Sequence, residues 1–259
     1  MSPADYCAAR VRAAGGDGAL LARFAPPPLR PATLALAALR AELDHLVEHR
    51  PDPSVVGPKL AWWRQELAAL GVAPGQHPAT QALAEQAAAP LALRDALLDL
   101  VDAAETELAG RSALPRAAWR AHLLRRGDGW LMALESLGGS PRAARDELGV
   151  ALATIEALGE LGLRLRRSQP AHALEDGPGP GATDRDAGAL RWVTREAERC
   201  LPALAPRGAE QALPVLLEIN RALGARRARA LFADPALAWR PAPRHSLGAL
   251  FCAWRAARR

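Results

Sequence analysis

A chain of 259 residues, half of them apolar, is long enough to bury one large core, and scarce strand formers beside abundant Ala, Leu, Arg and Glu predict an all-α fold. The net charge of +5 is spread along the chain rather than gathered into a patch, so nothing marks a nucleic-acid binder. Three widely spaced cysteines, Cys7, Cys200 and Cys252, suit reduced thiols and exclude a disulfide scaffold.

The opening residues Met1-Ser2-Pro3-Ala4-Asp5 lack the basic and apolar regions of a signal peptide. The apolar stretch 32–39 is far too short to span a bilayer. The expectation is a cytoplasmic protein, with contact to the inner face of a membrane left open. Pro26-Pro27-Pro28 and Pro31 lead into a helix predicted over 32–49, which Pro51-Asp52-Pro53 stops. Further helices are predicted over 58–70, 79–88 and 91–108, the last with an apolar stripe of Leu93, Leu97, Leu100, Val101 and Leu108. Two more span 119–137 and 140–167, parted by Gly138-Gly139. Residues 176–188 are rich in Gly and Pro and read as a flexible loop. Helices over 189–204, 209–232 and from Ser246 onward complete one domain, 1–259, built as a helical bundle.

Some local patterns point nowhere. His45-Leu46-Val47-Glu48-His49 fits the H-x-x-E-H zinc motif, but it sits at a helix end and offers no third ligand. The run Gly177-Pro178-Gly179-Pro180-Gly181 neither follows a strand nor opens a helix, and its prolines remove the donors a phosphate loop needs. The last helix, Leu247 onward, joins an apolar face to a basic end. Such a helix can lie on an anionic membrane, but more often its Leu, Phe and Trp side chains close a bundle, and that is the expectation here.

Read together, four segments resemble the squalene/phytoene synthase family. Arg23-Phe24-Ala25-Pro26-Pro27-Pro28-Leu29-Arg30 is similar to that family's opening. Lys59-Leu60-Ala61-Trp62-Trp63-Arg64-Gln65-Glu66-Leu67 is similar to its "RLxWWRxxL" helix, the most specific of the four. His77-Pro78 followed by Gln81-Ala82-Leu83 matches "HPvxxAL", and Leu148-Gly149-Val150-Ala151 begins what resembles the second catalytic helix.

The resemblance implies an isoprenoid-synthase bundle in which two aspartate-rich motifs on facing helices hold Mg²⁺ against a diphosphate leaving group. Here the motifs are degenerate. "DDxxD" falls on Asp44 to Glu48, with His45 in the middle, and the second motif puts Glu156 where Asn is expected. There Glu160 replaces the first Asp and Arg164 the second. Asp44, Glu48, Glu156 and Glu160 are therefore the vestigial catalytic positions, and Asp44, Glu48 and Glu160 the Mg²⁺ ligands if the site works. Arg40, Arg166 and Arg167 are the positions implied to hold a diphosphate, although Arg166 and Arg167 equally suit a solvated helix end. A cation in place of a metal ligand favours an impaired or inactive member without a cofactor, binding a prenyl lipid or acting as an assembly scaffold for a protein partner. The alternatives are a Mg²⁺-dependent head-to-head prenyltransferase and a helical protein–protein module.

Overall fold

The computed structural model describes residues 1–48, 52–86, 90–110, 113–138, 146–206, 213–240 and 246–258. In chain order its helices are α1 (Pro3–Ala14), α2 (Asp17–Phe24), α3 (Arg30–Glu48), α4 (Pro53–Ala68), α5 (Pro78–Gln86), α6 (Pro90–Leu108) and α7 (Arg116–Ser136). They continue with α8 (Asp146–Gly159), α9 (Leu161–Arg166), α10 (Ala187–Cys200), α11 (Val215–Ala233) and α12 (Leu247–Ala256). Two short strands, β1 (Ala113–Leu114) and β2 (His172–Ala173), pair in parallel. The all-α expectation holds. One apolar core runs from Cys7 and Val11 of α1 through Leu36 and Leu39 of α3 to Ala253 of α12.

Two helices at the start were not anticipated. Ser2 caps α1 through its hydroxyl, which accepts from the Asp5 N–H at 3.2 Å, while Asp5 accepts in return from the Ser2 N–H. Cys7 and Val11, one turn apart, then face α3. Across that contact the Tyr6 hydroxyl donates to Glu42 at 2.6 Å, and Arg10 pairs with the same carboxylate at 2.7 Å.

Helix α4 begins at Pro53, five residues before its predicted start. Asp52 caps it by accepting from the Ser54 N–H at 2.9 Å, and Pro58 lies inside. Pro58 is exposed in the second turn, so the Ser54 carbonyl that loses its partner meets water instead. Glu66 near the end of α4 is buried and accepts from the N–H groups of Gln76 and His77 and from the Thr80 hydroxyl. Trp63 packs against the His77 ring at 4.7 Å. The two segments that carried the sharpest resemblance are thus bonded to each other, tying the 71–77 connection to α4.

The helix predicted over 140–167 is broken. Residues 139–145 lie outside the described set, and Glu160, at φ −117° and ψ 8°, separates α8 from α9. Gly162 abuts Trp239, and a Cβ there would lie 2.7 Å from the indole, so only glycine lets α9 pass the ring this closely. Residues 176–186 are irregular, as expected. They are tied by the Trp239 indole N–H, which donates to the Ala182 carbonyl at 3.0 Å, and α10 starts at Ala187.

The expectation for the last helix is overturned. Helix α12 buries Ala253 and Ala256 against the bundle and leaves Leu247, Phe251 and Trp254 outside. Small residues allow close approach to α11, where the Cys252 Sγ reaches the Ala222 carbonyl at 3.3 Å.

Candidate functional site

Helices α3, α6, α7 and α8 meet at the middle of the bundle. Helices α7 and α8 approach with backbone against backbone. A Cβ on Gly127 would lie 1.9 Å from the Gly149 carbonyl oxygen, and one on Gly149 2.7 Å from the Asp128 nitrogen. Only glycine fits at either position. This contact sets Arg126 of α7 within reach of Glu156, two turns further along α8.

Arg126 is the hub. Its Nη1 donates to Glu107 Oε1 at 2.7 Å, its Nη2 to Asp44 Oδ1 at 3.3 Å and its Nε to Glu156 Oε2 at 3.3 Å. Arg40 spans the same two outer carboxylates. It donates to Glu156 Oε1 at 2.6 Å and lies 3.6 Å from Asp44, one turn away on α3, with its guanidinium over the Trp130 ring at 4.6 Å. Arg164 joins Glu107 at 3.3 Å to Glu160 at 3.2 Å, and also donates to the Pro170 carbonyl. Arg227 of α11, paired with Asp17 at 3.0 Å, adds its field at Glu156 and Glu160.

The protonation states follow from these contacts. Burial alone would raise the pKa of Glu107, which is 2% exposed, but Arg126 and Arg164 outweigh it and bring the carboxyl down to about 2. Burial opposes ionisation of Glu156 as well, yet Arg40 and Arg126 hold it far below its ordinary value. Glu160 goes the other way. Burial of its carboxyl end and the charge on Glu156 raise it, against Arg164. His122 stands 3.5 Å from Glu107, and burial with Arg126 and Arg164 nearby lowers its pKa to about 4, so it is neutral at pH 7. Its buried Nδ1 has no hydrogen-bond partner among the described residues.

Mg²⁺ binding requires carboxylate oxygens free to point at the ion. Here Asp44, Glu107, Glu156 and Glu160 each accept from, or pair with, an arginine. Among the described residues no group of three or more His, Cys, Asp or Glu side chains could hold a metal. Engaged in this way, the described carboxylates do not offer the ion a donor set; the Glu48 side chain lies outside the described residues. The cavity beside it, lined by Arg40, Leu43, Asp44, Leu100, Ala103, Ala104 and Arg126, measures about 10 Å³, space for roughly one water.

The squalene/phytoene synthase family profile matches residues 11–244. The chain belongs to the squalene/phytoene synthase family. Its backbone superposes on a dehydrosqualene synthase crystallised with a ligand, with TM-score 0.77, 11% identity, and coverage of 99% of this chain and 95% of that one. Squalene synthase HpnC from Alicyclobacillus acidocaldarius gives TM-score 0.65 and 18% identity over 88% of this chain and 92% of that one. No curated protein sequence matches the chain. At these identities the two structures speak for the fold alone.

Within this family member, the fold brings together Asp44, Glu156, Glu160 and Arg40. Glu48 is the last residue of α3, with its side chain outside the described set, as is His49 of the H-x-x-E-H pattern. Arg166 is exposed. Arg167 is partly buried, its Nη1 without a hydrogen-bond partner among the described residues. Sequence reasoning missed Glu107 and Arg126. Both left a readable signal, a charge in phase with an apolar stripe: Glu107 continues Leu100 and Ala104, and Arg126 stands between Leu123 and Trp130.

Proposed function

We propose that this squalene/phytoene synthase family member does not run the Mg²⁺-dependent condensation of prenyl diphosphates and serves instead as a scaffold or assembly protein. The observation that carries this reading is Arg126 spanning Asp44 and Glu156, with Arg40 spanning the same pair. Guanidinium groups stand between the two helices whose carboxylates would otherwise share a metal, and they neutralise those carboxylates permanently. With their charge already matched by guanidinium groups, these carboxylates have little left to hold Mg²⁺, the ion that would neutralise a departing diphosphate. The adjoining cavity has room for about one water, too little for a prenyl chain, and this supports the reading.

A second reading, a working head-to-head prenyltransferase, is favoured by family membership and by the 30% and 40% side-chain exposure that Asp44 and Glu160 retain. The two readings part in one experiment. The full chain is incubated with farnesyl diphosphate, with and without Mg²⁺, while melting temperature and diphosphate release are followed. The scaffold reading expects neither a Mg²⁺-dependent shift nor release. A shift that needs Mg²⁺, vanishes in Glu160→Ala and accompanies diphosphate release would establish the enzyme. Stabilisation independent of Mg²⁺ would indicate prenyl-lipid binding.

A further inference from the structure

Helix α12 turns bulky apolar side chains outward, although Leu250 is partly buried against the core. A bundle helix ordinarily buries its bulky apolar side chains and exposes its small and polar ones. Here Ala253 and Ala256 are the buried residues, while Leu247 is 85% exposed, Phe251 60% and Trp254 38%. At spacings of four and three residues these three form one outward stripe. The rings of Phe251 and Trp254 stack at 5.6 Å, so the apolar surface is continuous. Arg258 continues the stripe and lies over the Trp254 ring at 4.3 Å, and Arg255 flanks it. Helix α12 carries no acidic residue, and the neighbouring α11 exposes Arg226 and Arg229, both near enough to act on Cys252. Asp17, whose charge also reaches Cys252, is paired with Arg227.

We propose that this face of α12 docks on anionic membrane lipid. Leu247, Phe251 and Trp254 enter the headgroup–acyl boundary, where an indole with a polar edge is at home, and Arg255 and Arg258 meet lipid phosphates. Charge decides the occupant: an all-basic rim around an apolar stripe complements a negatively charged surface and repels a second copy of itself. Among the described residues no helix is long and apolar enough to cross a bilayer, so this attachment is peripheral.

The test is co-sedimentation of the full chain with vesicles of phosphatidylcholine alone or of equal parts phosphatidylcholine and phosphatidylglycerol. Binding is expected to the mixed vesicles only and to weaken with salt. Arg255→Gln and Arg258→Gln should each reduce partitioning about fivefold. The triple change Leu247→Ser, Phe251→Ser, Trp254→Ser should reduce it more than tenfold, and the double change Leu247→Ser, Phe251→Ser, which spares the more covered Trp254, should also weaken it while leaving the melting temperature nearly unchanged. Three results would overturn the proposal: no sedimentation with mixed vesicles, equal sedimentation with neutral ones, or undiminished binding by the triple variant. Elution as a dimer that Phe251→Ser dissociates would also overturn it, assigning the face to a second copy of the chain.

Discussion

Replacing Arg126 by Met keeps most of the volume and removes the cation that touches Glu107, Asp44 and Glu156 at once. The three carboxylates do not suffer equally. Asp44 is 30% exposed and Glu156 25%, so both can recruit water, whereas Glu107 at 2% cannot. The 2.7 Å contact with Glu107 is worth about 6 kcal/mol in gross attraction at an effective dielectric constant of about 20. Relief of the arginine's own burial offsets part of that, leaving a net loss of about 3–5 kcal/mol, as for other buried pairs broken on one side. Urea unfolding of the wild type, Arg126→Met, Glu107→Gln and the double variant measures it. Glu107→Gln should cost much less in the Arg126→Met background, with an interaction energy of about 2 kcal/mol. Additivity of the two single changes to within about 0.5 kcal/mol would refute the claim that Arg126 is there to compensate Glu107.

Acid should unfold the protein in two windows. His122 has an ordinary value of 6.5 and sits at about 4 when folded; its folded pKa is depressed, so its contribution is complete above pH 6.5 and lost as pH falls toward 4. Glu107, ordinarily 4.5 and about 2 when folded, is lost next, between pH 4.5 and 2. Each window is worth up to about 3 kcal/mol, and His122→Gln should flatten the first while leaving the second, as read from denaturation midpoints against pH. Gly127→Ala should destabilise by more than about 3 kcal/mol, because the added methyl must displace backbone rather than a flexible side chain. An unchanged thermal melting point for Gly127→Ala would show that α7 and α8 can part freely.

The segments that announced the fold were legible because they are structural. His77 packs its ring against Trp63 and donates its N–H to Glu66, so the residue types there are fixed by geometry that sequence spacing preserves. The missing carboxylates could be read too, since Glu160 and Arg164 stand at known helical phases. What they do instead could not, because Arg126 and Glu107 come from helices with no motif of their own and become partners only when α6, α7 and α8 meet. The break at Glu160 was hidden for a similar reason: Gly162, just beyond it, lies against Trp239 from a distant part of the chain, a contact that local propensity does not report. Helix α12 was misjudged because periodicity reports that an apolar face exists and is silent about which way it turns.

The mutual neutralisation at the bundle centre makes its charges interdependent. Arg126 and Arg164 meet at Glu107, so a neutral residue in place of Glu107 leaves two buried guanidinium groups without their shared counter-ion. Arg40 and Arg126 likewise meet at Glu156. Substitutions here are tolerated in compensating pairs more readily than singly, whereas the exposed outer face of α12 admits change one residue at a time.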